Sequence, residues 1–296
     1  MEEFDPTLLK QLYIPRSESH KGQNGKLLII GGSHLFHSAS LWALEIASKI
    51  VDMVFYSSVP ENNEIVQKSK EQFKNGIVVK RSEIEHYIQE ADCILIGPGM
   101  VRTNEKLSTD YYRKNLKEVE EIEHEGIQTY HITKYLLKQF PQKRYVLDAG
   151  ALQMTNPAWL KNLKEIPILT PHKKEFQNLF GLEPNPENAE KIAKEYNCTT
   201  LLKGEKDIIC SPHKCTTTKG GNAGMTKGGT GDVLAGIVAA LYCKNDVFLS
   251  STCASYINKK AGDELFSRVG PYFNASDLTL QIPQTMKHLI LDKASF

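Results

Sequence analysis

The stretch GGTGDVLAGIVAALY, residues 228–242, places three glycines and one acid directly before a long apolar run. Within this run Val233, Ile237 and Leu241 recur at every fourth position, which predicts a buried helix. The first turn of a helix has backbone N–H groups without intrahelical partners and carries a partial positive charge. Glycines let an anion approach that backbone without meeting a Cβ atom. The stretch therefore predicts an anion-binding helix start with Asp232 beside it.

The sequence is compatible with two roles for Asp232. With an ordinary pKa of about 3.9 it is expected to be ionised at neutral pH, and it can then accept a proton from a substrate hydroxyl next to a bound phosphate. In the alternative reading the glycines form an ordinary turn and Asp232 is only the N-cap of the helix. The sequence contains neither G-x-x-x-x-G-K-[ST] nor a strand followed by G-x-G-x-x-G. These absences argue against a P-loop ATPase and against a dinucleotide-binding fold.

Short apolar runs that end in glycine, proline or a polar loop recur along the chain. Because they are apolar almost throughout, they predict strands buried on both faces of a sheet. The runs are LLIIGG (27–32), MVFYSS (53–58), GIVVK (76–80), CILIGPG (93–99), YVLDAG (145–150), PILTPH (167–172) and TTLLKG (199–204).

Segments with helical spacing lie between several of these strands. Trp42, Ile46 and Ile50 mark one helix face, and residues 107–122 and 186–196 are also helix-prone. The alternation predicts an α/β fold with a central, mostly parallel sheet flanked by helices on both faces. Residues 205–218 predict a small antiparallel hairpin. We expect one domain over residues 1–296.

Composition narrows the classes of function. The chain is 41% apolar and 24% charged, which is typical of a globular protein. The net charge of +1 favours neither nucleic-acid nor other polyanion binding. The longest apolar run, Val233–Cys243, is far shorter than the roughly 20 residues of a membrane span. No secretory signal is visible, so we expect a cytoplasmic protein.

The cysteines and histidines form no metal-binding pattern. His34 and His37 are three residues apart but lack a second pair of ligands, so no zinc site is expected. Cys210 and Cys215 can face each other across the predicted hairpin. Free thiols are the preferred interpretation, since disulfides are rare in reducing compartments. Three of the six cysteines lie in apolar or small-residue segments and are expected in the core.

Several predicted strands end in loops with functional chemistry: GGS, GPG, DAG, TPH and KG. In open parallel sheets, ligands bind in the crevice beyond the carboxyl ends of the strands. These loops are therefore expected to converge on one cleft.

The motifs together resemble a known family. GGTGDVLAGIVAAL is similar to the signature of the ribokinase-like ADP/ATP-dependent NAD(P)H-hydrate dehydratases, and the other loops agree in order over residues from about 20 to about 289. These loops are KGQNGKLLIIGGS (21–33), CILIGPG (93–99), YVLDAGAL (145–152), ILTPHKKEF (168–176) and LLKG (201–204). The resemblance implies a ribokinase-like fold and a lyase that uses nucleotide phosphate to remove the water added to damaged NADH or NADPH.

The resemblance also implies roles for individual residues. Asp232 is the base and a substrate contact, and the Gly229 and Gly231 amides hold the transferring phosphoryl group. The substrate site includes Ala39, Gly99 and His172. The nucleotide site includes Lys203, Gly204, Glu205, Lys206, Asp207, Thr230 and Gly231.

Mg²⁺ is expected to bridge the phosphates of ADP or ATP. No metal ligand is assigned, although Glu175 matches a glutamate that would order metal or water. Taken alone, several of these residues have ordinary interpretations. Ala39 would pack a helix, Gly99 would form a turn, His172 would lie in a loop, and Lys203 would be a solvated lysine.

The chain departs from the family pattern mainly where the substrate is expected. Met100 stands in GPGMV where the family has GPGLG, Gly150 replaces the second aspartate of DADAL, and Lys173–Lys174 replace the Pro-Gly of TPHPGEF. The first loop reads FHSA where a YTGA-like end is usual. These departures leave open a lowered or redirected activity.

Three further points follow from the resemblance. It favours ADP over ATP and homo-tetramers, but the sequence decides neither point, nor the choice between NADH hydrate and NADPH hydrate. No fused epimerase domain is expected, since about 20 residues precede the first predicted strand. The competing hypotheses are a kinase for a vitamin precursor or sugar and a nucleotide-binding regulator without turnover.

Overall fold

The computed structural model describes residues 1–69, 74–105 and 115–292. Within them a single nine-stranded sheet runs in the order β3-β2-β1-β4-β5-β6-β7-β8-β9. The strands are β1 Lys26–Ile30, β2 Met53–Ser57, β3 Ile77–Val78, β4 Cys93–Ile96, β5 Arg144–Leu147, β6 Ile168–Leu169, β7 Thr199–Leu202, β8 Asp207–Cys210 and β9 Cys215–Thr218.

The first seven strands are parallel, and β8 and β9 are antiparallel. All seven predicted strands are present, although β3 and β6 are only two residues long. The predicted hairpin is formed by β8 and β9. The prediction of a mostly parallel sheet with a small antiparallel hairpin is confirmed.

Helices cover both faces of the sheet, as predicted. They are α1 His37–Ala47, α2 Pro60–Ser69, α3 Ile84–Glu90, α4 Leu116–Glu120, α5 Glu125–Gln139, α6 Ala149–Gln153, α7 Lys173–Phe180, α8 Pro186–Tyr196, α9 Thr230–Tyr242, α10 Val247–Val269 and α11 Ala275–Met286. Short 3-10 turns lie at Pro6–Gln11, Arg81–Glu83, Pro157–Asn162 and Ala223–Thr226, and a π turn at Lys287–Leu291.

Alternating side chains of β1 divide the core into two layers. Leu27 and Ile29 pack with residues of α1, α9, α10 and α11 on one face. Leu28 and Ile30 pack with residues of α5, α7 and α8 on the other face. This alternation explains why the strands are apolar throughout, because both faces of a parallel sheet are covered.

The helix predictions hold in part. The helices over residues 230–242 and 186–196 are confirmed, the second with the predicted bounds. Trp42 and Ile46 lie on α1, but Ile50 follows its end. Of the helix expected over residues 107–122, α4 covers Leu116–Glu120, and residues 106–114 lie outside the described part of the chain.

Cys210 and Cys215 are joined by a disulfide, so the expectation of free thiols at this pair is wrong. The two residues are paired across the β8–β9 hairpin with Cα atoms 4.1 Å apart, which brings the side chains together. The other four cysteines, Cys93, Cys198, Cys243 and Cys253, are free and buried. Over the described ranges, no helix has both the length and the apolar character that crossing a membrane requires.

Candidate active site

The glycine loop before α9, residues 228–231, is held by packing against Trp42 and by hydrogen bonds of Thr230. Gly229 is the N-cap of α9 and has a φ of 97°, a conformation that favours glycine. A Cβ atom at Gly229 would lie 2.3 Å from the Trp42 ring, so space also requires glycine there. The Trp42 indole N–H donates to Ser276 Oγ at 3.0 Å, which ties α1 to α11. Thr230 Oγ donates to the carbonyls of Met225 and Lys227, so the loop is held in place before any ligand binds.

Asp232 lies half-buried in the first turn of α9. No side chain caps this helix start, so the interpretation of Asp232 as an N-cap is wrong. Burial, and next the charge of Asp148, raise the pKa of Asp232 to about 7, although Lys203 opposes the shift. The pKa of Asp232 therefore lies well above the ordinary value of about 3.9 from which ionisation at neutral pH was expected. A carboxyl group with a pKa near neutrality is well suited to act as a general base.

A buried ion pair faces this helix start. Lys203 Nζ lies 2.9 Å from Asp148 Oδ1, and Thr170 Oγ donates to the same oxygen at 2.7 Å. Asp148 follows β5 and is 2% exposed, and Lys203 follows β7. The Lys203 ammonium is also 3.5 Å from the point where a Cβ on Gly231 would lie. The interpretation of Lys203 as a solvated lysine is therefore wrong.

The charge of Lys203 is maintained by its surroundings. Burial alone would lower the pKa of Lys203, but the carboxylates of Asp148 and Glu175 raise it above its ordinary value. A permanent cation thus lies against the phosphate loop. Sequence reasoning missed Asp148, although an acid directly after a buried strand was a usable signal.

The expected substrate side is built from the loop after β4 and the start of α1. Gly99 has a φ of 71°, and a Cβ there would lie 2.6 Å from the Phe36 carbonyl oxygen and 3.1 Å from Ala39 Cβ. Gly99 is thus a turn glycine that also brings Ala39 to this edge of the sheet. A Cβ on Gly150 would lie 2.1 Å from the Met100 carbonyl oxygen, so these two departures from the family pattern touch each other.

His172 and Glu175 form a reciprocal cap on α7. His172 Nδ1 accepts the Glu175 backbone N–H at 3.1 Å, and Glu175 Oε2 accepts the His172 backbone N–H at 2.9 Å. Glu175 Oε1 accepts from Gln153 Nε2 at 3.1 Å. Because Nδ1 accepts, the neutral imidazole carries its proton on Nε2, and about half of the side chain is exposed. His172 can therefore offer an N–H donor at the sheet edge.

A cavity of about 600 Å³ opens between the loop after β7 and the start of α9. This volume suits a small organic ligand of nucleotide size. Six of the seven residues expected to bind nucleotide line the cavity: Lys203, Gly204, Glu205, Asp207, Thr230 and Gly231. The seventh, Lys206, is exposed and does not line it.

Residues 27–284 match the model of a family described as NAD(P)H-hydrate dehydratase. The chain belongs to this family. It is 36% identical over 290 residues to the bifunctional NAD(P)H-hydrate repair enzyme Nnr of Methanocaldococcus jannaschii, covering 94% of this chain and 51% of that protein. It is 32% identical to the ADP-dependent (S)-NAD(P)H-hydrate dehydratase of Nitrosopumilus maritimus, covering 95% and 96% of the two chains. The chain thus spans about half the length of the bifunctional relatives.

Solved structures confirm the ribokinase-like fold. A ribokinase-like superfamily protein from Enterococcus faecalis superposes with a TM-score of 0.81 at 22% identity over 98% of this chain and 97% of its own. The ADP/ATP-dependent NAD(P)H-hydrate dehydratase of Bacillus subtilis, co-crystallised with ATP and Mg²⁺, gives a TM-score of 0.77 at 22% identity over 97% and 98% of the two chains.

Two further residues that line the cavity, both on α10, were not predicted from the sequence. Asn258 is 5% exposed, and its Oδ1 accepts no hydrogen bond from any described residue. A buried amide without a partner is costly unless a ligand completes it. Lys259 is 6% exposed and approaches Asp207 with its ammonium.

Asp207 holds the loop that lines the cavity through several contacts. Its Oδ1 accepts the Gly204 backbone N–H at 2.9 Å, its Oδ2 accepts from Ser255 Oγ at 2.7 Å, and Lys259 Nζ lies 3.3 Å away. Burial raises the pKa of Asp207, although Lys259 acts in the opposite direction. These contacts shape the loop after β7.

Proposed function

We propose that the protein is an ADP-dependent (S)-NAD(P)H-hydrate dehydratase, which restores NADH or NADPH from the hydrated cofactor and releases AMP and phosphate. The observation that carries this proposal is the Asp232 carboxyl group. This group lies in the first turn of α9, at the anion-binding helix start and opposite the Lys203–Asp148 pair, and burial raises its pKa to about 7. The similarity to the ADP-dependent dehydratase of Nitrosopumilus maritimus supports the choice of ADP.

The proposed chemistry begins with phosphoryl transfer. Asp232 takes the proton of the substrate hydroxyl, whose oxygen then bonds to the terminal phosphorus of the nucleotide while the bond to the leaving phosphate oxygen breaks. The first-turn amides of Gly229 and Gly231 and the Lys203 ammonium stabilise the charge that develops on the phosphoryl group. The transfer converts hydroxide, a poor leaving group, into phosphate, a good one.

Elimination completes the reaction. The carbon–oxygen bond breaks with loss of phosphate, and the neighbouring ring carbon gives a proton to solvent water, so that the ring double bond returns. The water oxygen leaves in the phosphate. On the substrate side, the half-exposed His172 ring, whose Nε2 lies 3.6 Å from Glu175 Oε1, would contact the nicotinamide end, with Ala39 and Gly99 packed together beside it.

Mg²⁺ fits the acidic side chains of this site. Among the described residues no group of three or more His, Cys, Asp or Glu has metal-binding geometry. Mg²⁺ commonly uses only one or two carboxylates together with phosphates and waters. Asp148 would hold it through Oδ2, since Lys203 and Thr170 both contact Oδ1, and Asp232 stays available as the base. When bound, Mg²⁺ supplies charge neutralisation at the phosphates.

Both oxygens of Glu175 accept hydrogen bonds from neighbouring residues, and its role in ordering metal or water stays a prediction. The cytoplasmic location and the tetrameric assembly stay predictions.

The decisive experiment incubates the protein with hydrated NADH, Mg²⁺ and either ADP or ATP, and follows the absorbance of reduced nicotinamide. We expect recovery with ADP and release of one phosphate for each NADH. A stable phosphorylated product without NADH would instead support the small-molecule kinase. If neither nucleotide restores absorbance, the proposal is wrong.

A further inference from the structure

The ammonium of Lys259 is surrounded by oxygen atoms. Its Nζ donates to the backbone carbonyls of Gly204 at 3.0 Å, Glu205 at 3.0 Å and Gly220 at 3.2 Å. Asp207 Oδ1 lies 3.3 Å away, and the Lys259 side chain is only 7% exposed. A lysine ammonium has three N–H donors. All three are therefore used by main-chain oxygens, while Asp207 supplies the opposite charge.

This arrangement has the chemistry of a site for a small monovalent cation. Carbonyl oxygens that converge on one point can replace the water shell of potassium, and ammonium is an ion of the same charge. In this chain the cation is covalently attached to α10. A free ion is therefore not needed at this point.

The carbonyls belong to two separate loops. Gly204 and Glu205 follow β7, whereas Gly220 follows β9, and both loops line the cavity of about 600 Å³. Without a cation, three carbonyl oxygens facing one another beside a carboxylate would repel. The position of each loop, and hence the shape of the cavity, depends on the charge between them.

We propose that Lys259 is a positioning residue whose ammonium acts as a built-in monovalent cation, holding the Gly204–Glu205 and Gly220 loops in the shape that binds nucleotide. This inference rests on the proposed function only in taking the cavity as the nucleotide site. It assigns Lys259 no contact with the reacting atoms.

The test is to replace the tethered cation by a free one. Lys259→Ala leaves room for an ion, and its dehydratase activity and thermal unfolding are measured in choline, potassium and ammonium chloride at equal ionic strength. In choline chloride we expect the KM for ADP to rise about tenfold or more, since a hydrogen-bonded buried charge is lost, with a smaller change in kcat. Ammonium or potassium should restore much of the KM and raise the melting temperature. The wild-type protein should respond alike to all three salts.

Two variants serve as controls. Lys259→Met removes the charge but fills the space, so it should lose nucleotide affinity without rescue by any salt. Lys260→Ala removes the exposed neighbouring lysine, which stacks on Tyr256, and should behave like the wild-type protein.

Two results would overturn the inference. One is a Lys259→Ala protein with wild-type KM and melting temperature in choline chloride. The other is a defect, including a failure to fold, that ammonium and potassium do not relieve more than choline. The thermal unfolding measurement does not depend on turnover. If the wild-type protein is inactive with every nucleotide, the proposed function is refuted, but the unfolding data still test the role of Lys259.

Discussion

The phosphate side and the substrate side of the cleft differ in how closely they follow the family pattern. On the phosphate side the loop at residues 228–232 keeps the family sequence, and Gly229 packs on Trp42. On the substrate side Met100 and Gly150 both depart from it, yet they touch so closely that no Cβ fits at Gly150. The two departures therefore pack closely against each other in this chain.

The two sides also differ in charge. The phosphate side brings Asp148, Lys203 and Asp232 together with Glu175, and their mutual interactions shift the pKa values of Lys203 and Asp232. On the substrate side the contacts of Gly99 and Gly150 are steric, and His172 shares hydrogen bonds with Glu175. Reaction chemistry is thus expected to respond to charge changes on the first side, and substrate fit to volume changes on the second.

The largest effect is expected from Asp232→Asn. Removing a general base typically lowers turnover by about 10²–10⁴-fold. ADP binding, measured by calorimetry, should survive, because the glycine amides and Lys203 remain. Glu187→Gln, an exposed acid on α8, is the control and should leave turnover unchanged. Full activity in Asp232→Asn would show that the reaction does not depend on the charged groups of the phosphate side.

Gly150→Ala tests the packing of the substrate side. The new methyl group would meet the Met100 carbonyl, and overpacking of this kind costs about 1–3 kcal/mol of unfolding free energy, measured by urea titration. Gly228→Ala is the matched control, since nothing lies within 4 Å of its Cβ position. Alanine is the better helix former, and Gly150 lies in α6. A stabilised Gly150→Ala protein would therefore show that the contact is loose.

The pH profile should report Asp232 in the free enzyme. The base form is the carboxylate, and its pKa is raised to about 7. As the pH falls below 7 the carboxylate is lost, so kcat/KM should drop about tenfold for each pH unit. A profile that is flat from pH 8 to pH 5 would contradict this assignment.

Asp148→Asn should move that acid limb to lower pH. After burial, the charge of Asp148 is the largest cause of the raised pKa of Asp232. The quantity to measure is the pH at which kcat/KM begins to fall. The maximal value of kcat/KM is not used, because Asp148→Asn also removes the partner of Lys203. Asp52→Asn removes an equal charge at the opposite edge of the sheet, where it bonds Gly22 and Asn24, and should leave the limb in place.

The smallest effect is expected from Asn258→Ala. If the nucleotide completes the unpaired amide, the KM for ADP should rise by roughly 3–10-fold, the worth of one hydrogen bond. The unliganded protein should melt at the same or a higher temperature, because an unsatisfied buried group is removed. An unchanged KM would show that the ligand does not use this amide.

Local patterns in the sequence predicted much of the fold. The apolar runs located seven strands, and the spacing over residues 186–196 located α8 with its bounds. The anion-binding helix start was also readable, because its glycines and acid are neighbours in the chain.

The rest of the site depends on distant contacts. Asp148 and Lys203 are 55 positions apart, and Lys259 reaches carbonyls 39 to 55 positions away. The raised pKa of Asp232 requires burial together with another strand's carboxylate. No local pattern contains these pairings. The disulfide likewise depended on the register of the hairpin, which places Cys210 opposite Cys215.

The contact between Trp42 and Gly229 gives the protein an optical reporter of its own. The chain has only two tryptophans, and this one lies against the N-cap of α9. Any ligand that shifts the loop by a fraction of an ångström changes the surroundings of the indole ring. Intrinsic fluorescence of the Trp159→Phe protein should therefore follow nucleotide arrival in real time, without a label and without turnover.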